Sequence, residues 1–127
     1  MNPRQLVLYV DDDPDCRDTI RAVLESNGFS MVEAHTAEEG LRVFEQAHPG
    51  VVVIDLMMEE VDAGVALARD IRARSETPVY MLSSVGDMLR LSIDRETLGV
   101  EGILQKPVAA DTLIQVLRSH AARPAHA

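Results

Sequence analysis

Residues 6–14 read LVLYVDDDP, so five apolar residues run directly into three aspartates and a proline. The apolar part is continuous rather than alternating, which is typical of a parallel β-strand covered on both faces. Asp13 has the side chain of a helix N-cap, and Pro14 suits the first position of a helix. The stretch therefore predicts a buried strand, a short acidic turn and a helix, which together form one βα unit.

The same arrangement recurs along the chain. Apolar runs begin near residues 6, 29, 51, 79 and 102, so the intervals are 23, 22, 28 and 23 residues, and each fits one βα unit. Residues 29–34 are more mixed in character and predict an edge strand. Helical periodicity follows each run, with later helices expected at 37–47, 64–73, 87–98 and 109–120. Five such units predict a doubly wound α/β domain with a five-stranded parallel sheet over residues 1–120, followed by a tail at 121–127.

The charge balance disfavours direct binding to nucleic acid. Twelve Lys and Arg stand against 21 Asp and Glu, a formal net charge of −9, and there is no Trp among the 127 residues. Such a surface repels a phosphate backbone and offers few aromatic platforms for bases. A cation or another protein is the expected partner.

The apolar runs, the N-terminal sequence and the single cysteine bear on where the protein is located. No apolar run approaches the ~20 residues that span a bilayer. The apolar run before the aspartates at 11–13 is too short for a signal peptide. We therefore expect no membrane partner and a cytoplasmic location. Cys16 is the single cysteine, so it forms no intramolecular disulfide, and its helical spacing predicts a small buried apolar side chain.

Polar residues stand at the ends of four of the predicted strands. Asp11 and Asp12 follow the first strand, Asp55 ends the third, Ser83 the fourth, and Lys106 follows the fifth. Ligand sites of doubly wound sheets lie at the carboxyl ends of the strands. Neighbouring carboxylates repel unless a hard cation lies among them, and Mg²⁺ fits because it prefers oxygen ligands and keeps room for phosphate. Lys106 and Ser83 would then contact phosphoryl oxygens.

Four motifs together resemble a response-regulator receiver domain. They are VDDDP (10–14), VIDLMM (53–58), MLSS (81–84) and QKPV (105–108). The resemblance covers essentially the whole chain and implies a flavodoxin-like (βα)5 fold with strand order 2-1-3-4-5. It also implies a phosphoacceptor signalling protein rather than a turnover enzyme, and we expect the signal to pass to a downstream target by protein contact. In receiver domains the positions of Met57 and Val85 resemble a rim around the phosphoryl group, and because both residues are apolar here we expect slow autodephosphorylation.

The resemblance also implies a role for each residue. Asp55 would be phosphorylated by a histidine kinase or phosphotransfer protein, and Mg²⁺ would be held by Asp11, Asp12, Asp55 and the backbone carbonyl of Met57. Ser83 and Lys106 would contact the phosphoryl group. The bond between Lys106 and Pro107 would be cis.

Three positions depart from the family pattern. The loop after the phosphoacceptor usually carries Pro four positions on and Gly eight positions on, but this chain has Glu59 and Ala63, with Gly64 displaced by one. Ile103 stands where the family usually has an aromatic residue. Glu59 and Glu60 also add negative charge beside the expected site. These departures leave open a receiver-like interaction module that works without phosphorylation.

An enzyme is the second alternative. A Mg²⁺-dependent phosphatase of the haloacid dehalogenase type also places Asp-x-Asp after its first strand, a spacing that Asp11 and Asp13 satisfy.

The region 87–98 has two apolar stripes in its predicted helix, because Leu89 and Ile93 form a stripe separate from that of Met88, Leu91 and Leu98. A second stripe predicts a docking surface for a target or a homodimer.

Overall fold

The computed structural model describes residues 6–56, 58, 63–84 and 99–121. The strands are β1 (Leu6–Val10), β2 (Ser30–Ala34), β3 (Val51–Asp55), β4 (Val79–Ser83) and β5 (Gly102–Gln105). The helices within these ranges are α1 (Pro14–Glu25), α2 (Ala37–Ala47), α3 (Ala63–Arg74) and α4 (Ala110–Ala121). The region 87–98, for which a helix is predicted, lies outside the described residues.

All strand pairings in the sheet are parallel, and the order is β2-β1-β3-β4-β5. This confirms the predicted doubly wound architecture, with β2 at an edge. The order places β1 and β3 side by side, so Val10 pairs with Ile54 and the residues after both strands leave the sheet together. The switch in strand order at β1 and β3 opens the crevice in which such folds bind ligands.

Both faces of the sheet are covered, so alternate residues of each strand enter different cores. On one face, Phe44 of α2 and Leu67 and Ile71 of α3 pack in a core that includes Leu8 and Ile54. The opposite core contains residues of α1 and α4 packed with alternate strand residues: Val7, Tyr9, Leu24, Val53, Leu82, Leu113 and Leu117. This alternation explains why the strand sequences read as continuous apolar runs.

Local signals set the starts of two helices. The Asp13 carboxylate accepts a hydrogen bond from the backbone N–H of Asp15 at 2.9 Å, and Pro14 occupies the first turn. Thr36 caps α2 by accepting from the N–H of Glu39 at 3.0 Å. These caps satisfy backbone donors that have no partner within the helix. Asp13 therefore has a structural role at the start of α1.

The bounds of two helices and one burial assignment differ from expectation. Helix α4 spans Ala110–Ala121 rather than 109–120, and α3 spans Ala63–Arg74 rather than 64–73. Cys16 is only partly buried, because it lies in the first turn of α1, where its thiol donates to Asp13 Oδ2 at 3.4 Å. Among the residues described, no helix combines the length and apolar character that a membrane span requires.

Candidate functional site

Three carboxylates meet at the carboxyl edge of the sheet. Asp11 directly follows β1, Asp55 is the last residue of β3, and Asp12 lies beside them, so that one oxygen from each lies within 4.8 Å of the others. Asp11 is 0% exposed and Asp55 3% exposed, whereas Asp12 is partly exposed. The convergence predicted from the strand ends is therefore present. We call these three residues the acidic cluster.

Asp11 is held at every acceptor atom. Its Oδ1 accepts from the N–H of Asp13 at 3.0 Å, and its Oδ2 accepts from the Tyr9 hydroxyl at 2.5 Å. Its backbone carbonyl accepts from Arg17 Nη1 at 2.7 Å. Reasoning from the sequence missed both Tyr9 and Arg17. The available signal for Tyr9 was the two-residue period of a strand, which puts residues 9 and 11 on one face.

Lys106 pairs with the acidic cluster through Asp55. Its Nζ lies 2.7 Å from Asp55 Oδ1, and its backbone N–H donates to the carbonyl of Ser83 at 2.8 Å. The Lys106–Pro107 peptide bond is cis, as the resemblance implies. Ser83 is buried at the end of β4, one residue beyond Leu82, which pairs with Asp55. The expected acceptor, cation partner and hydroxyl residue thus lie on neighbouring strands at one edge.

The pKa values at this edge reflect burial and the paired charges. The pKa of Asp55 is raised to about 6, chiefly through burial; Lys106 opposes this rise by its hydrogen bond and charge, and the Asp11 carboxylate adds to it. For Lys106, burial lowers the pKa, but the hydrogen bond and charge of Asp55 outweigh it and the net shift is upward. The buried Tyr9 hydroxyl has a raised pKa, first through burial and then through its bond to Asp11, and so stays protonated.

The acidic cluster fits a divalent cation. Three carboxylates stand against one ammonium, that of Lys106, so negative charge is in excess when all are ionised. The nearby Arg17 guanidinium is itself paired with Glu33. The donor atoms are hard carboxylate oxygens, which suit Mg²⁺. Met57, whose carbonyl is expected to be a further ligand, and Glu59 and Glu60 lie outside the described residues.

Gly64 lets α3 begin against the end of β3. A Cβ atom at this position would lie 2.7 Å from the carbonyl oxygen of Asp55 and 3.0 Å from that of Leu56. Both obstacles are backbone atoms, so no side-chain movement relieves them. The glycine displaced by one position from the family pattern is therefore required here by the close approach of two backbones.

A groove of about 490 Å³ lies beside the site. Its walls come from the start of α1, including Cys16, Thr19 and Ile20, and from Lys106 to Val108 after β5. Ile103, at the position of the usual aromatic residue, is partly buried and packs in the core formed with α2 and α3. The groove and Ile103 therefore lie on opposite faces of the sheet, since Lys106 and Tyr9 line the former.

Asp13 argues against the phosphatase alternative. A haloacid dehalogenase would need Asp11 and Asp13 as its pair, yet Asp13 is exposed and caps α1. The cluster uses Asp12 and Asp55 instead.

Comparison with known sequences identifies relatives along nearly the whole chain. The sequence model of the response regulator receiver domain matches residues 7–118. The probable transcriptional regulator ycf27 of Cyanophora paradoxa is 33% identical over 119 residues, covering 91% of this chain and 48% of that protein. The transcriptional regulatory protein CseB of Streptomyces avermitilis is 32% identical over 121 residues, covering 95% and 51%. The chain thus spans about half the length of these curated relatives.

Solved structures are similar in sequence and fold. The receiver domain of the Francisella response regulator 1452 is 30% identical with a TM-score of 0.79, covering 90% of this chain and 93% of that one. The chemotaxis response regulator CheY4 of Vibrio cholerae is 26% identical with a TM-score of 0.78, covering 90% and 96%. With the geometry of the acidic cluster, these matches show that the chain belongs to the response regulator receiver domains of two-component systems.

Proposed function

We propose that Asp55 accepts a phosphoryl group from a phosphohistidine of a histidine kinase or phosphotransfer protein. Asp11, Asp12, Asp55 and the backbone carbonyl of Met57 would hold Mg²⁺. The observation that carries this proposal is the buried Asp55 carboxylate, which is paired with Lys106 at 2.7 Å within the acidic cluster. A buried carboxylate with this surrounding charge is costly to maintain for packing alone.

The chemistry is a phosphoryl transfer between two side chains. A carboxylate oxygen of Asp55 forms the new P–O bond, while the P–N bond of the phosphohistidine breaks and the leaving imidazole nitrogen takes up a proton. Lys106 offers its ammonium to a phosphoryl oxygen, and the Ser83 hydroxyl donates to another. When bound, Mg²⁺ would offset the negative charge of the phosphoryl oxygens and the carboxylates.

Incubation with a small phosphodonor and Mg²⁺, followed by intact mass, tests this proposal. We expect the wild-type protein to gain one phosphoryl group and Asp55→Asn to gain none. Asp13→Asn, which alters the cap of α1 and the contact with Cys16 but no residue of the acidic cluster, should react as the wild type does. If Asp55→Asn still gains the phosphoryl group and Asp13→Asn does not, the result would support the phosphatase instead. A wild-type protein that gains nothing would support the phosphorylation-independent module.

The groove beside Lys106 is where we place the phosphodonor protein, because it is continuous with the residue that contacts Asp55. Thr19 is exposed on its α1 wall. Thr19→Arg should slow phosphorylation by the histidine kinase at least tenfold and leave reaction with a small phosphodonor unchanged. Ala22→Arg adds the same charge on an exposed position one helical turn away and serves as the control. Equal kinase rates in both variants would refute the docking site.

We also propose that the aspartyl phosphate at Asp55 is hydrolysed only slowly when no other protein is present. Met57 and Val85, two positions beyond Asp55 and Ser83, are apolar and supply no group to orient a water molecule. Both lie outside the described residues, so this proposal rests on the sequence. Met57→Asn or Val85→Lys should speed dephosphorylation, and unchanged rates in both would contradict it.

Output is proposed to pass by protein contact. The relatives ycf27 and CseB are named as transcriptional regulators, but a net charge of −9 disfavours nucleic-acid contact by this chain itself.

The region 87–98, proposed as a homodimer or target surface, lies outside the described residues. Leu89→Asp or Ile93→Asp should preserve phosphorylation of Asp55 and abolish dimer formation or target binding; unfolding of both variants would place these residues in the core.

A further inference from the structure

The Tyr9 hydroxyl reaches into the acidic cluster from the core. Tyr9 is 1% exposed, and its ring packs among the apolar residues between the sheet, α1 and α4. Packing alone would be satisfied by Phe, whereas a buried hydroxyl needs a hydrogen-bond partner. The partner is Asp11 Oδ2 at 2.5 Å. The polar end of this residue is therefore directed to one atom of the site.

The strand geometry makes this contact possible. Tyr9 and Asp11 are two residues apart on and just after β1, so both side chains project from the same face. The Tyr ring is long enough to span the distance between successive side chains on that face. A shorter polar side chain at position 9 would not reach the carboxylate.

The Tyr9 contact completes the restraint of Asp11. The N–H of Asp13 holds Oδ1 at 3.0 Å, and Arg17 holds the backbone carbonyl at 2.7 Å. Arg17 is itself anchored, because its Nε lies 3.4 Å from Glu33 Oε2 on β2. Repulsion among the carboxylates of the acidic cluster would turn a loosely held side chain away, and the Tyr9 bond restrains Oδ2 against that movement.

We infer that Tyr9 is a positioning residue that holds the Asp11 carboxylate ready for a divalent cation. This inference rests on the proposed function, in which Asp11 is a ligand of Mg²⁺. A ligand held before the cation arrives spares the cost of ordering it on binding. Residues that hydrogen-bond to metal ligands typically change metal affinity about 10- to 100-fold when they are replaced.

The two tyrosines of the chain allow a direct test. Tyr9 and Tyr80 are the only tyrosines and there is no Trp, so Tyr80→Phe leaves Tyr9 as the only strong emitter. Tyr80 lies in the same row of the sheet, because Tyr9 pairs with Val53 and Val53 with Tyr80. The two Tyr→Phe variants therefore each remove one hydroxyl from the same core.

We expect Tyr9→Phe to bind Mg²⁺ about tenfold more weakly than the wild type in calorimetric titration. Tyr80→Phe should keep the wild-type affinity. In Tyr80→Phe, the fluorescence of Tyr9 should change on adding Mg²⁺. A hydrogen bond from the phenol to a carboxylate quenches tyrosine fluorescence, and the bond from Tyr9 to Asp11 is altered when Asp11 binds the cation. The emission change should have the same midpoint as the calorimetric titration.

The inference would be overturned if Tyr9→Phe bound Mg²⁺ as tightly as the wild type, even with lowered thermal stability. It would also be overturned if Tyr9 emission did not change on adding Mg²⁺, or if both variants lost affinity equally. If the wild-type protein binds no Mg²⁺, the proposed function fails and the inference fails with it. If the wild type binds Mg²⁺ and is phosphorylated but Tyr9→Phe is unaffected, only the inference fails.

Discussion

At the scale of single residues, Gly64 allows the backbone of α3 to approach the end of β3 closely. Alanine normally stabilises a helix over glycine by about 1 kcal/mol. In Gly64→Ala the new Cβ would meet the carbonyl of Asp55 at 2.7 Å, so we expect net destabilisation of roughly 1 to 3 kcal/mol. Urea unfolding measures this change in the free energy of unfolding.

Gly40→Ala is the matched control for that variant. Its Cβ would lie 2.8 Å from Leu67 Cδ2, the end of a side chain rather than backbone. A methyl group can shift by a few tenths of an ångström, so Gly40→Ala should destabilise the protein less than Gly64→Ala does. The reverse ranking would show that the contact between β3 and α3 is softer than its geometry indicates.

Asp12 and Asp55 should respond differently to loss of charge. Asp12→Asn relieves repulsion in the acidic cluster, which we expect to gain about 1 kcal/mol, or a rise in Tm of roughly 4 °C, without metal. Asp55→Asn should raise Tm less, because it also removes the carboxylate that pairs with Lys106. Thermal unfolding in a chelator measures both variants. A larger rise for Asp55→Asn would mean that its ion pair contributes little.

The residues of the site were predictable to different degrees. Asp11, Asp12 and Asp55 stand at strand ends, so the parallel topology alone brings them together. Tyr9 was hidden because it reads as one more apolar residue of a buried strand, and its hydrogen bond depends on side-chain reach. The assignment of Cys16 as buried was wrong because helical spacing alone does not say how completely a residue in the first turn is covered.

At the scale of elements, ion pairs tie α1 to the edge strand β2. Arg21 Nη2 lies 2.8 Å from Glu33 Oε1, and Arg17 also contacts Glu33. The hydrogen bond from Arg21 lowers the pKa of Glu33 below its ordinary value near 4.5, against the effect of burial. Its stabilising contribution is therefore complete above pH 4.5 and is lost as the pH falls through the lowered value.

Glu33→Gln should accordingly be less stable than the wild type at pH 7, by less than about 1 kcal/mol per pair lost because these side chains are partly exposed. The difference should shrink as the pH is lowered below 4.5. Urea unfolding at several pH values measures it. Glu25→Gln, which removes a longer contact of 3.4 Å to Arg21, is the control. A constant difference at every pH would show that Glu33 acts through packing instead.

Element bounds followed the local signals closely. Helix α2 was expected at 37–47 and is found there, because Thr36 supplies a cap. Helix α3 begins at Ala63, one residue before the expected start, and Gly64 in its first turn is set by close approach to the backbone at the end of β3. Such contacts are tertiary and leave no periodic trace in the sequence.

At the scale of the whole molecule, Mg²⁺ should stabilise the fold. The acidic cluster exists only when β1 and β3 are paired, so the cation binds the folded state and shifts unfolding by mass action, by about 2.7 kcal/mol at 100 times its Kd. We expect MgCl₂ to raise Tm more than NaCl of equal ionic strength. That excess should largely disappear in Asp12→Asn, and its persistence there would place the cation elsewhere on this chain of net charge −9.

The packing around Gly64 also has a mechanical consequence. The main chain of Asp55 lies close to that of Gly64 at the start of α3, and Leu67 of α3 lies close to Gly40 of α2. Because the first link joins backbone to backbone, it contains no flexible side chain to absorb a small displacement. A displacement of the main chain at Asp55 should therefore reach the start of α3 directly, so this helix is the element best placed to respond to a change at the acidic cluster.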